Sequence, residues 1–252
     1  MAQDGRRARV REVSRWYSPR LEREVTVARW GHWGTPVLLF PSAGGDALEV
    51  ERMQMIDALR GLIEPGRIKV YSCDSVAGQA WISKQHPLGY CTLLQNRFDG
   101  FVYEEVVPAI RTDSRAEGIE IIAAGASIGA FNALASLCRH PDVFRIALSL
   151  SGTYDLEKLF GFGADENFYF SSPLLFLPNL GDGPLLDMLR RRFVLLAFGQ
   201  GRWEDPGESW RMAHVLGVKG IPNRVDPWGH EWDHDWPTWR RMLPVYLDIF
   251  TA

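Results

Sequence analysis

The chain has 252 residues, 46% of them hydrophobic, and a formal net charge of −3. That length supports one sizeable core, so a single domain over residues 1–252 is expected. The nearly balanced charge has no long basic or acidic block to engage nucleic acid, and no stretch is long and apolar enough to span a membrane.

The opening "MAQDGRRARVREVSRWYS" carries positive charge without the apolar run of a secretory signal. Cys73, Cys91 and Cys138 are far apart and odd in number. They read as ordinary reduced thiols, not as a disulfide or metal framework, and point to a cytoplasmic protein. "EVTVARWG" alternates like a strand, and "PVLLFPSAGG" is a buried-strand run that ends in small residues. "DALEVERMQMIDALRGL" has helical periodicity, and "RIKVYSCDS" is the next strand. "LLQNRFDGFVYEEVVPAIRTD" predicts a long amphipathic helix, bent or shortened at Pro108.

"GIEIIAAG" is a strand that passes almost without a gap into the helical "ASIGAFNALASLCRH", and "RIALSLSG" is a strand again. Residues 153–190 have no clear period and are rich in turn formers, and a long insert of this kind in an α/β domain is usually functional. "RRFVLLAFGQG", "GESWRMAHVLGVKG" and "IPNRVDPWG" read as strand, helix and last strand. The final helix carries an apolar stripe of Trp236, Trp239, Leu243, Tyr246, Leu247 and Phe250, with Pro237 in its first turn and Pro244 inside it. Alternating strands and helices predict an α/β fold around a mostly parallel sheet.

The strongest chemical signal is Gly125-Ala126-Ser127-Ile128-Gly129, a G-x-S-x-G pattern at a strand-to-helix junction. Such a turn holds its serine in a strained backbone at the top of the sheet, and small neighbours let other backbone approach. The N–H of Ile128 would open the helix, where free donors and the dipole favour an oxyanion. A second donor would come from the turn "PSAGG", as the amide of Ala43 or of Gly44.

A serine nucleophile needs a base, usually histidine, and an acid to orient it. With the chain order Ser, acid, His, the acid falls after the strand "FVLLAF" at Glu204 or Asp205, and the base falls after the last strand. There "GHEWDHDW" holds His230 and His234 and also matches H-E-x-x-H, a zinc-protease pattern. That pattern needs both rings on one helical face and a third ligand. Gly229 and Pro237 bracket a poor helix, and no histidine follows His234, so a metal site is not expected. Four of the ten tryptophans, Trp228, Trp232, Trp236 and Trp239, cluster here, so Trp228, Trp232, His230 and, across the site, Gly44 are candidates for substrate contact.

"GASIG", "GQGRWEDP" and "HDWPTWRRMLP" together resemble the esterase family of α/β-hydrolases that includes S-formylglutathione hydrolases, feruloyl esterases and mycolyl transferases. The resemblance runs from "LLFPSAGG" to the last helix, and "HDWPTW" is its most specific part. It implies the α/β-hydrolase fold and a catalytic triad of Ser127, Glu204 (through "GRWE") and His234, with Ala43 and Ile128 as oxyanion donors. It also makes "ENFYFSSPLLFLPNL" part of a substrate-facing insert. The implied activity is hydrolysis of a small-molecule carboxylic ester or thioester through an acyl-enzyme, with no cofactor. An acyltransferase with the same residues and a catalytically silent binding domain are the alternatives, and a homo-oligomer is left open.

Overall fold

The computed structural model describes residues 11–161, 163 and 165–252. Most of the leading segment read for a signal, residues 1–10, lies outside them, as do 162 and 164 of the insert. Eight strands form one sheet: β1 Arg11–Ser18, β2 Arg23–Trp30, β3 Thr35–Phe40, β4 Ile68–Cys73, β5 Ile121–Ala126, β6 Phe144–Leu150, β7 Phe193–Phe198 and β8 Asn223–Pro227. Their order is β1-β2-β4-β3-β5-β6-β7-β8. β2 is antiparallel to β1 and to β4, and every other pairing is parallel. The expected α/β-hydrolase fold is the one observed.

The central strands are buried on both faces, so both phases of their alternation are apolar. Leu38, Phe40, Ile121, Ala123, Val194 and Leu196 enter one core. Their neighbours Val37, Leu39, Ile122, Ala124, Leu195 and Ala197 enter the other, which the final helix Trp236–Phe250 covers with Trp239, Leu243 and Leu247. From β3 the chain goes to β4 on one side and then crosses back to β5 on the other. A crevice therefore opens at the carboxyl ends of the strands, where open α/β sheets bind their ligands.

Two predicted helices differ in detail. The segment after β3 forms three single turns, Glu49–Arg52, Met55–Ala58 and Arg60–Ile63, with Gln54 left-handed at φ 61° between the first two. Glu49 is drawn to Ser42, and Glu51 to Arg11 and Trp30, so tertiary hydrogen bonds override the local period. At Pro108 the long helix is not broken. Leu88–Phe101 passes through a π turn, Val102–Val106, into Val107–Ser114, and the wider turn accommodates a residue with no amide donor. β1 and the helix Val76–Ser83 were not foreseen. β1 is mostly exposed and shows no apolar alternation, while Gly78 blurs the helix.

Candidate active site

Ser127 sits between β5 and the helix Ile128–Arg139 with φ 57° and ψ −122°, a left-handed backbone that is costly outside glycine. The glycines of the pattern are needed for close approach. A Cβ on Gly125 would lie 2.2 Å from the Gly129 carbonyl oxygen, and one on Gly129 would lie 2.6 Å from that of Pro41. The Ser127 carbonyl accepts from Ala130 at 3.1 Å and the Ser127 N–H donates to Leu150 at 3.0 Å, tying the turn to its helix and to β6. Among the described residues the Ile128 N–H has no hydrogen-bond partner, as expected of a free donor at a helix start.

Phe40 pairs with Gly125, so the turn after β3 lies beside Ser127. Ala43 has φ 41°, and Gly45 N–H closes the turn on the Ser42 carbonyl at 2.9 Å. Ser75 Oγ donates to the Ala43 carbonyl at 3.1 Å. Glu49 accepts the Ser42 N–H at 2.7 Å, and burial pushes its carboxyl above its ordinary value despite that bond. The N–H groups of Ala43 and Gly44 are both without a partner among the described residues.

The loops after β7 and β8 are joined to each other. Gln200 N–H donates to Gly229 (3.2 Å), Gly201 N–H to Trp232 (2.9 Å) and His234 N–H to the Arg202 carbonyl (3.0 Å). Arg202 bonds Asp233 through both its amide (2.7 Å) and its guanidinium (2.6 Å), which holds the Asp233 carboxyl below its ordinary value. Gly199 is required for this approach, since a Cβ there would lie 1.9 Å from the Trp232 carbonyl oxygen. The joined loops set Glu204 against His234, with Oε2 3.4 Å from Nδ1. Both groups are largely withdrawn from solvent, the Glu204 side chain at 2% exposure and that of His234 at 21%. The contact is longer and less aligned than a tight hydrogen bond, and Nδ1 has no better partner among the described residues. Catalytic hydrogen bonds are commonly this loose without substrate.

Asp205, the other acid considered, caps the helix Pro206–Val218 by accepting the Gly207 N–H at 3.1 Å, and lies 3.6 Å from Lys158 Nζ. Residues 230–234 form turns and bends instead of the helix a zinc motif needs. Nδ1 of the exposed His230 lies 3.2 Å from the Gln200 carbonyl oxygen, while His234 faces Glu204. The Ser127 hydroxyl makes no direct hydrogen bond to His234 among the described residues. The two are linked through β6: Ser127 bonds Leu150, and the next residue, Ser151, bonds Glu204 at 2.5 Å.

A cavity of about 350 Å³ opens beside His234 and Glu204, walled by Thr153, Lys158 and Leu159 of the insert and by Trp203. Gly44, Trp228, His230 and Trp232 are not among its lining residues. Trp228 donates to Tyr246 Oη at 2.7 Å and meets Trp232 edge to face at 5.2 Å. The aromatic at the cavity is Trp203, 76% exposed with φ 62°. Its place directly before Glu204 was the one signal that could have marked it. Among the described residues no helix is long and apolar enough to cross a membrane.

The family model described as "Putative esterase" matches residues 66–249, more than half of the chain. That span contains Ser127, Glu204 and His234 and begins beyond the 42–45 turn. Comparison with curated proteins returned no match. Among solved structures the chain is similar to a ferulic acid esterase, with a TM-score of 0.71 and 15% identity over 96% of this chain and 97% of that one. An S-formylglutathione hydrolase from Agrobacterium tumefaciens has a TM-score of 0.71 and 15% identity, over 96% of this chain and 94% of that one. A fluorophosphonate-binding serine hydrolase of Staphylococcus aureus has a TM-score of 0.70 and 13% identity, over 97% and 99%. At these identities the likeness speaks for the fold.

Proposed function

This chain belongs to the esterase family of α/β-hydrolases and is a carboxylic ester hydrolase, and we propose that it works through an acyl-enzyme on Ser127 with Glu204 and His234 completing the triad. The observation that carries this reading is the facing pair Glu204 Oε2 and His234 Nδ1, at 3.4 Å on two joined loops, at the same carboxyl end of the parallel strands as the strained Ser127. His234 takes the Ser127 proton through Nε2 as Oγ attacks the ester carbonyl. Glu204 holds the ring in the tautomer that leaves Nε2 free and stabilises the imidazolium. The tetrahedral oxyanion meets the free N–H of Ile128 and that of Ala43, with Gly44 the alternative second donor.

The intermediate collapses as His234 protonates the leaving alcohol or thiol, and water then repeats the sequence on the acyl-enzyme. Short p-nitrophenyl esters and thioesters provide the test. The wild type should turn them over, whereas Ser127→Ala should lose on the order of 10⁶-fold in kcat. Equal rates for the two proteins would remove Ser127 from the mechanism.

A further inference from the structure

Glu204 faces His234 with one carboxylate oxygen only. Its other oxygen, Oε1, accepts the Gly199 N–H at 3.0 Å and the Ser151 hydroxyl at 2.5 Å. Ser151 Oγ in turn accepts the indole N–H of Trp239 at 3.0 Å. The direction of this chain is forced by its ends. An indole can only donate and an ionised carboxylate can only accept, so the single hydroxyl proton of Ser151 must point at Glu204. Two donors on Oε1 fix the carboxylate plane and leave Oε2 for Nδ1 of His234. Trp239 acts at the base as well, since its ring meets that of His234 edge to face at 5.3 Å.

The placement is specific. Ser151 directly follows β6, is 3% exposed, and takes φ 45°, a left-handed conformation that a non-glycine residue adopts at a cost. Its N–H is bonded to the Ala197 carbonyl at 2.7 Å, which joins the end of β6 to β7 just before the acid loop. A glycine would satisfy the backbone there without strain. What serine adds at this position is the hydroxyl that bridges Trp239 and Glu204.

We infer that Ser151 and Trp239 are positioning residues of the esterase reaction, a one-directional hydrogen-bond chain that orients Glu204 toward His234. This rests on the triad reading above. The chain also assigns a part to the last tryptophan of "HDWPTW": it holds the acid through Ser151 while its ring bears on the histidine five residues earlier.

The test uses the full-length protein, with p-nitrophenyl ester kinetics, fluorophosphonate labelling of Ser127 and thermal melting. Ser151→Gly relieves the backbone but leaves the buried Trp239 N–H without its acceptor, so the melting temperature should fall by a few degrees at most while kcat falls roughly 10- to 100-fold, the weight of a hydrogen bond to a charged group. KM should stay unchanged, because the contact acts only as the histidine becomes charged. Ser151→Ala should show the same loss of kcat, which separates the missing hydroxyl from relieved backbone strain. Trp239→Phe should lose less, roughly tenfold, and the double variant should be no worse than Ser151→Gly, since both act through one hydroxyl. If Ser151→Gly fails to fold, Trp239→Phe, which removes the N–H and keeps a buried aromatic, carries the test. A labelled and active wild type with Ser151→Gly and Trp239→Phe equal to it in kcat would overturn this inference alone. A wild type that neither labels nor turns over would overturn the triad reading, and this inference with it.

Discussion

The turn carrying Ala43 and the paired loops carrying Glu204 and His234 lie at the carboxyl ends of the parallel strands but take their shape from different contacts. The first is a short turn after β3 with a left-handed Ala43, closed by the Gly45 N–H on the Ser42 carbonyl and braced by side chains: Glu49 on the Ser42 amide and Ser75 on the Ala43 carbonyl. The second is two loops from β7 and β8 joined mainly through main-chain bonds, with Arg202 and Asp233 across the seam. A region held by side chains should answer to individual side-chain changes. One held by backbone should answer to anything that keeps the chains apart, while the chemistry within it depends on single rings and carboxylates.

The sharpest break in the paired loops is at the base. His234→Ala should lower kcat by at least about 10⁴-fold. His230→Ala, which gives up only a contact to the Gln200 carbonyl at an exposed site, should stay within about tenfold. The reverse order, read from steady-state kinetics, would move the base to His230. Next is the acid. Glu204→Gln should cost up to about 10⁴-fold in kcat with little change in melting temperature. Asp205→Asn removes charge from a helix cap and should cost no more than about 1 kcal/mol of stability, with kcat near wild type. Equal kinetic losses for the two would undo the assignment of their roles.

Gly199→Ala tests the backbone seam itself. With the Trp232 carbonyl 1.9 Å from the new Cβ, the loops must part, so stability should fall by roughly 1–3 kcal/mol and activity with it. An unchanged melting curve would mean that the loops are not held as described. The smallest effect is in the turn after β3. Burial raises the Glu49 carboxyl in the folded chain, so the protonated form binds the fold better than the carboxylate. Its contribution is therefore full below the unfolded value and fades as pH rises through the folded one. Glu49→Gln keeps an acceptor for Ser42 and removes this titration, so its melting temperature should gain on the wild type as pH rises from acidic toward neutral. A difference that shrinks with rising pH would contradict the burial of Glu49.

The central strands, the serine turn and the final helix were legible because each has a local signal: a run of apolar residues, small residues around Ser127, and a stripe at helical spacing. From the residues alone the acid was a choice between Glu204 and Asp205, since two adjacent acids before a helix look alike, and only the resemblance at "GRWE" favoured Glu204. Ser151, Trp239 as a donor, Glu49 and Trp203 were not marked as parts of the site. The contacts of Ser151 and Trp239 depend on which elements become neighbours, and β6 and β7 are adjacent only once the sheet is built. The surroundings of the aromatic cluster were hidden for the same reason. Trp228 and Trp232 are close in sequence to His234 but face the final helix and each other, while the indole at the cavity comes from the neighbouring loop.

Ser127 is the nucleophile of the proposed triad, and covalent trapping tests it most directly. Incubation with a fluorophosphonate, followed by intact mass and peptide mapping, should add one phosphonyl group per chain, on Ser127, and Ser127→Ala should take up none. Modification at another residue, or no modification of a folded wild type, would contradict the account.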